Sequence, residues 1–204
     1  LQWALDPRAP VEHAIVIGAY DYLAPMAIAL NAVAREAIRT SATPEAGIAL
    51  ARKIAMLTYK SDALFAQRFG RTIDRNGGDP YRNLEDRFDV EGYLDYQGRI
   101  FTARMDADAY VRQTRAMDLF DVREEPVPTP APRFTFVGIS SDWLFLPRYV
   151  REAAQRYARA GADSVYLELQ SNHGHDAFLA EPEALTAILA DRVAPLYAAI
   201  HPLA

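Results

Sequence analysis

Phe134-Thr135-Phe136-Val137-Gly138-Ile139-Ser140-Ser141-Asp142-Trp143-Leu144-Phe145 decides how this chain folds. Its first half is a nearly continuous apolar run, short enough for a strand buried on both faces of a parallel sheet. An acid stands just past its end. The pattern recurs downstream, where the run Val165 to Leu169 is followed by His173-Gly174-His175-Asp176-Ala177-Phe178. In an open parallel sheet, functional groups gather beyond the carboxyl ends of the strands. An acid after one strand and a histidine after the next, in that order, form the second half of a Ser-Asp-His charge system. No Gly-x-Ser-x-Gly turn occurs in the chain to supply the first half. Ser140 and Ser141 are poor substitutes, because they flank the acid rather than sit on a sharp strand-to-helix elbow.

Composition sets the frame. The chain has 204 residues, 50 % of them hydrophobic, which suffices for one domain with a real core. A formal charge of −5 and a pI near 5.4 argue against nucleic acid or an anionic membrane surface as partner. There is no cysteine, which excludes disulfides, thiolate metal ligands and a cysteine nucleophile. No apolar run is long enough to span a membrane. No His/Asp/Glu group has metal-ligand spacing on a defined element, so no metal is expected. Gly77-Gly78 follows no strand and opens no helix, which excludes a phosphate-binding loop. Leu1 to Leu5 reads as helix without a capping residue. From this the chain is expected to be a piece of a longer polypeptide.

The pattern divides the chain into three parts. Residues 1–23 read as a helix end, a loop broken by Pro7 and Pro10, and a strand containing Ala14 to Ile17. Residues 24–123 read as an all-helical insertion. Helices are expected over Pro25 to Ile38, Gly47 to Tyr59, Ser61 to Phe69, Asp89 to Phe101 and Asp106 to Phe120. Ile48, Leu50, Ile54 and Leu57 form the expected apolar stripe of the second helix. The loop from Arg75 to Pro80 reads as polar and mobile. Residues 124–204 return through the proline-rich stretch 124–132 to strand, helix, strand and helix. Alternation of that kind means an α/β fold with parallel strands and crossover helices.

Each candidate residue also has an ordinary reading. Asp142 could simply cap a turn, as Asp favours. His175 could donate to a carbonyl, and His173 competes with it for a role beside Asp142. His13 and His201 read as structural. Arg52 and Lys53 interrupt the stripe of the 47–59 helix, where an arginine could serve as a bidentate carboxylate binder or merely face solvent. Tyr59 lies two helical turns beyond Arg52 and projects from nearly the same face.

These segments together resemble the homoserine O-acetyltransferase family of α/β-hydrolase-fold acyltransferases. Gly47 to Ser61, Gln67 to Arg71, Val90 to Gly98 and Thr114 to Asp121 are similar to that family's lid segments. Val137 to Phe145 and Gly174 to Leu179 are similar to its acid and histidine motifs. Leu1 to Leu5 is similar to the helix that follows its nucleophile elbow, which would place the serine roughly seven residues before Leu1. The stretch between Thr40 and Gly47 is shorter than in many members. The resemblance implies the C-terminal part of an α/β-hydrolase fold with a helical lid. It implies Asp142 as triad acid and His175 as base. It implies Arg52 and Asp176, with Tyr59 nearby, as the clamp on an amino-acid substrate's carboxylate and ammonium. The implied reaction is ping-pong transfer of an acetyl group from acetyl-CoA to the hydroxyl of L-homoserine, in cytoplasmic methionine biosynthesis, with no cofactor and with homodimers formed through the lid helices. Without the serine, the 204 residues alone are expected to be inactive. Serine as acceptor, succinyl-CoA as donor, ester hydrolysis, or a non-catalytic dimerisation module are the competing expectations.

Overall fold

A computed structural model describes residues 1–200, with side chains described as far as 194. His201 lies outside the described residues. The chain forms two compact units, one of residues 1–22 and 121 onward, the other of residues 23–120. The sequence boundaries at 23/24 and 123/124 fall one and three residues away.

The first unit is built on a parallel sheet of three strands in the order β1-β2-β3, with β1 at His13–Ile17, β2 at Arg133–Ile139 and β3 at Ser164–Leu169. Strand β2 is central, and from Phe134 onward every one of its residues is buried. Alternation along it sorts the side chains onto two faces. Phe134 and Phe136 face one way and meet Tyr157 of helix α7 (Pro147–Arg159), with ring centroids 4.5 and 5.5 Å apart. Val137 and Ile139 face the other way and pack with Leu169, Ala177 and the side chains of Leu185, Ile188 and Leu189 on helix α9 (Pro182–Ile200). Helices therefore cover both faces of the sheet. In β1, an outer strand of these three, Val16 is buried and Ile15 is 39 % exposed.

The Tyr157 hydroxyl lies buried with no hydrogen-bond partner among the described residues. Burial also pushes its pKa up. An unsatisfied buried hydroxyl is a net cost. Tyr157→Phe keeps the ring stack and removes the orphan, so it is expected to stabilise the fold by about 1 kcal/mol. Urea unfolding that shows a lower midpoint for the variant would contradict this.

The second unit consists of α2 (Pro25–Thr40), α3 (Pro44–Tyr59), α4 (Asp62–Phe69), α5 (Asp89–Thr102) and α6 (Ala107–Asp118). Local chemistry sets several starts. Thr43, Ser61 and Asp106 accept the backbone N–H three residues on, at 3.2, 3.1 and 3.0 Å. Proline occupies the first turn of α2 and α3. A buried Arg35–Asp118 ion pair at 2.6 Å ties α2 to α6, and Asn31 donates to the same carboxylate at 2.9 Å.

Two expectations change here. The buried face of α3 carries Gly47, Ile48, Ala51 and Thr58, whereas Leu50 and Leu57 are 43 % and 48 % exposed. Residues 50 and 57 lie on the side of the helix opposite Ile48, so one apolar stripe is in fact two rows. The 75–80 loop, expected to be mobile, is pinned by carboxylates. Asp74 accepts from the Asn76 N–H at 2.9 Å and from Arg87 at 2.7 Å, and the Gly78 N–H donates to Asp86 at 3.1 Å.

Each unit closes its own end of the connection. In the sheet unit Tyr22 and Asp121 form an antiparallel bridge, and the Val122 N–H donates to the Asp21 carbonyl at 2.8 Å. Asp21, wholly buried, takes both arms of Arg156 at 2.6 and 3.0 Å. In the helical unit the Leu23 N–H donates to the Phe120 carbonyl at 3.1 Å. No helix of the described residues is long and apolar enough to cross a membrane.

Candidate active site

The carboxyl edge of the sheet carries the first constellation. The backbone ladder continues one residue past two strands: the Gly18 N–H donates to the Val137 carbonyl at 2.9 Å, and the Ser140 N–H to the Leu169 carbonyl at 3.0 Å. The loops leaving β1, β2 and β3 are thereby held side by side. Asp142 sits on the second of them and is almost entirely buried. Its oxygens divide their work. Oδ1 accepts the N–H groups of Leu144 and Phe145 at 3.0 and 2.8 Å, which locks the side chain against its own turn. Oδ2 faces the Nδ1 of His175 at 2.7 Å. One side chain thus both holds its own turn and faces the ring of His175.

A carboxylate can only accept, so Nδ1 of His175 donates. In the neutral ring the other nitrogen, Nε2, is then the acceptor, the form a general base requires. The ring lies between Phe145, with centroids 4.9 Å apart, and Phe178, 5.8 Å away and edge-on. His173 turns elsewhere, with its Nε2 3.7 Å from Glu181. Of the two histidines left open by the residues, His175 is the one that meets Asp142. Asp176 follows it in the same short 3₁₀ turn, Gly174–Asp176. His13 lies in β1 with its Nε2 2.8 Å from Thr135, and burial lowers its pKa.

The second constellation belongs to the helical unit. Arg52 is not a solvated charge on α3. Its guanidinium lies 5.0 Å from the Tyr59 ring centroid and 4.8 Å from that of Phe101, and its Nε is buried without a hydrogen-bond partner among the described residues. Tyr59 therefore shares the face of Arg52, as the two-turn spacing requires. Tyr110 stands edge-on to Phe101 at 6.3 Å, and its pKa is raised by burial and by neighbouring Tyr59. A cation held between rings with an unsatisfied donor is suited to an anionic group of a ligand. Lys53 points elsewhere and pairs with Asp95.

Of three neighbours of the histidine, Gly18 went unmentioned in the sequence reading, and Ser140 and Ser141 were weighed only as nucleophiles. A Cβ placed on Gly18 would stand 3.1 Å from Cε1 of His175. Ser140 and Ser141 reach the histidine loop through hydrogen bonds described below. The available signal was position, since all three directly follow apolar runs that read as strands. Among the described residues no group of three or more His, Cys, Asp or Glu could hold a metal ion.

No protein-family model matches the chain. It is 36 % identical over 205 aligned residues to a homoserine O-acetyltransferase of Methanohalobium evestigatum, covering 93 % of this chain and 42 % of that protein. It is equally 36 % identical over 198 residues to a homoserine O-succinyltransferase of Halothiobacillus neapolitanus, covering 88 % of this chain and 49 % of that one. In three dimensions it superposes on the homoserine O-acetyltransferase of Bacillus anthracis with a TM-score of 0.78 at 17 % identity, over 94 % of this chain and 54 % of the other. The fold is thus that of the α/β-hydrolases. The chain spans about half the length of the curated relatives it matches. With both acyl-transfer specificities aligned along nearly its whole length, this chain is a homologue of the homoserine O-acyltransferases.

Proposed function

We propose that this chain contributes the acid, the base and the acceptor clamp of an acyltransferase that moves an acetyl group from acetyl-CoA to the hydroxyl of L-homoserine. The Asp142–His175 hydrogen bond of 2.7 Å at neighbouring strand ends carries this reading. The nucleophilic serine lies outside these 204 residues. In the first half-reaction that serine attacks the thioester carbonyl, His175 Nε2 takes its proton, and the imidazolium returns the proton to the departing CoA thiolate. Asp142 holds the ring's tautomer and stabilises its cation. In the second, the homoserine hydroxyl gives its proton to His175 and attacks the acyl-serine. The proton then returns to the serine as O-acetylhomoserine leaves.

In this scheme Arg52 takes the α-carboxylate of homoserine and Asp176 its ammonium, with Tyr59 beside the guanidinium. The proposal also makes the enzyme a cytoplasmic member of methionine biosynthesis. It makes it a homodimer through the helical unit, for which the exposed Leu50 and Leu57 offer apolar surface. Transfer from succinyl-CoA is the second reading, supported by the equal identity to a succinyltransferase.

The polypeptide carrying this chain with its serine tests the scheme. Intact-mass analysis after mixing with acetyl-CoA should show one acetyl group, discharged by homoserine faster than by serine or water. A succinyl adduct alone selects the second reading. No adduct with either donor, or discharge by water as fast as by homoserine, overturns the function.

The clamp has its own expected result. Arg52→Ala and Asp176→Ala should each slow transfer to homoserine about ten- to a hundredfold, since losing a charge-assisted contact costs about 1.5–3 kcal/mol. Formation of the acyl-enzyme should stay near its original rate, because the donor presents neither α-carboxylate nor ammonium. Arg52→Lys should not restore transfer, for an ammonium lacks the planar fork. Pre-steady-state acylation alongside variation of homoserine separates the steps, and equal slowing of both would remove the clamp.

A further inference from the structure

Two serines flank the acid, and neither is placed to act as the nucleophile. Their hydroxyls are engaged with the histidine loop instead. Ser140 Oγ donates to the Ser171 carbonyl at 3.1 Å and accepts the Ser171 N–H at 3.0 Å. Ser171 Oγ in turn donates to Glu181 at 2.7 Å and accepts the His173 N–H at 2.9 Å. Ser141 Oγ accepts the Gly174 N–H at 3.0 Å.

The Ser141 bond differs from the others in what it closes. Ser141 directly precedes Asp142, and Gly174 directly precedes His175. Two consecutive residues of one loop therefore grip two consecutive residues of the other. The bond from the Gly174 N–H to the Ser141 hydroxyl runs alongside the side-chain bond from His175 to Asp142, at 3.0 and 2.7 Å. One side-chain hydrogen bond fixes a ring nitrogen but leaves the loop beneath it free to tilt. A second bond, one residue away on the backbone, removes that freedom. Rotation of the peptide before His175 would swing Nε2 while Nδ1 stayed attached. That swing is the motion a base must not make, because misplacement by about 1 Å can lower a rate about a hundredfold.

We propose that Ser141 is a positioning residue, whose hydroxyl fixes the backbone before His175 and so aims the imidazole. The inference rests on the proposed role of His175, and the test separates the two. Ser140 belongs to the other side of the loop, bonded towards Ser171, Glu181 and His173, and is a control.

The experiment uses the polypeptide carrying this chain with its serine, as wild type and as Ser141→Ala, Ser141→Cys, Ser141→Thr and Ser140→Ala. Two quantities are measured: the rate of acyl-enzyme formation at saturating acetyl-CoA, and the downfield Nδ1–H proton resonance of His175. In Ser141→Ala the acylation rate should fall about tenfold or more with little change in the donor concentration for half-saturation. Its Nδ1–H resonance should broaden and exchange faster with solvent. Ser141→Thr keeps an acceptor oxygen and should restore both, with Ser141→Cys in between. Ser140→Ala should lower the melting temperature while leaving the His175 resonance sharp. If Ser141→Ala lowers only the melting temperature and keeps both the resonance and the acylation rate, Ser141 is merely structural and the proposal is wrong. If the wild type forms no acyl-enzyme, the function proposed above fails, and the resonance alone still decides the role of Ser141.

Discussion

Asp142→Asn is expected to slow acyl-enzyme formation about ten-thousandfold while leaving the fold in place. The cause lies in the way the carboxylate divides its oxygens. The amide oxygen of an asparagine can keep the Leu144 and Phe145 N–H bonds that hold the turn, at 3.0 and 2.8 Å. Its NH₂ group then faces Nδ1 of His175 in place of the Oδ2 that stands at 2.7 Å. Two donors cannot share that bond, so Nδ1 becomes an acceptor and the ring proton moves to Nε2. A histidine protonated at Nε2 cannot take a proton from a nucleophile. Asp142→Ala should be less well folded, because it also abandons the two turn bonds, which makes the asparagine variant the cleaner comparison. Single-turnover acylation measures the effect, and circular dichroism checks the fold. A loss below tenfold in a folded Asp142→Asn protein would remove Asp142 from the mechanism.

Gly18→Ala is expected to lower the same rate about tenfold, although the residue carries no chemistry. Two effects coincide there. The backbone has φ +55°, in the left-handed region, where an added Cβ costs roughly 1–2 kcal/mol. That Cβ would also stand 3.1 Å from Cε1 and 3.2 Å from Nδ1 of His175, closer than ordinary contact. The ring, flanked by Phe145 and Phe178, has to give by a few tenths of an ångström, a fraction of the roughly 1 Å that costs about a hundredfold. The strain appears in the melting temperature and the displacement in the rate. An alanine variant that melts lower but acylates normally would show that the ring relaxes freely.

Much of this was open to reading in the chain itself, and the exceptions share a cause. Apolar runs ahead of Asp142 and of the His173 to His175 segment announce parallel strands, the first of them buried and the second only half-buried. Ser61 and Asp106 stand at helix starts as read, whereas the second helix starts at Pro44 behind Thr43, ahead of the expected Gly47. Sequence periodicity reports which residues are apolar, but not which neighbour covers them. Leu50 and Leu57 look like core and lie open. Arg52 shows the converse, since a guanidinium reads as a surface charge until Phe101 of α5 joins Tyr59 of its own helix beside it. The choice between His173 and His175 depends on Asp142, 33 positions from His175 in sequence. Gly18 went unmentioned, and Ser141 was weighed only as a nucleophile, for the same reason: their meaning lies in the loop opposite.

The paired strands of chain at Tyr22–Asp121 and the Leu23–Phe120 hydrogen bond carry a consequence for how such a protein can change over time. The whole helical segment enters and leaves the sheet unit at one spot, and both ends are fastened within the unit they belong to. The sheet thus meets it as a single closed loop, whatever that loop contains. Closure entropy grows slowly, by about 0.6 kcal/mol for each doubling of length, so helices can be added, trimmed or replaced at small thermodynamic cost. The helical residues, Arg52 and Tyr59 among them, can then diverge while Asp142 and His175, which lie outside that segment, remain untouched.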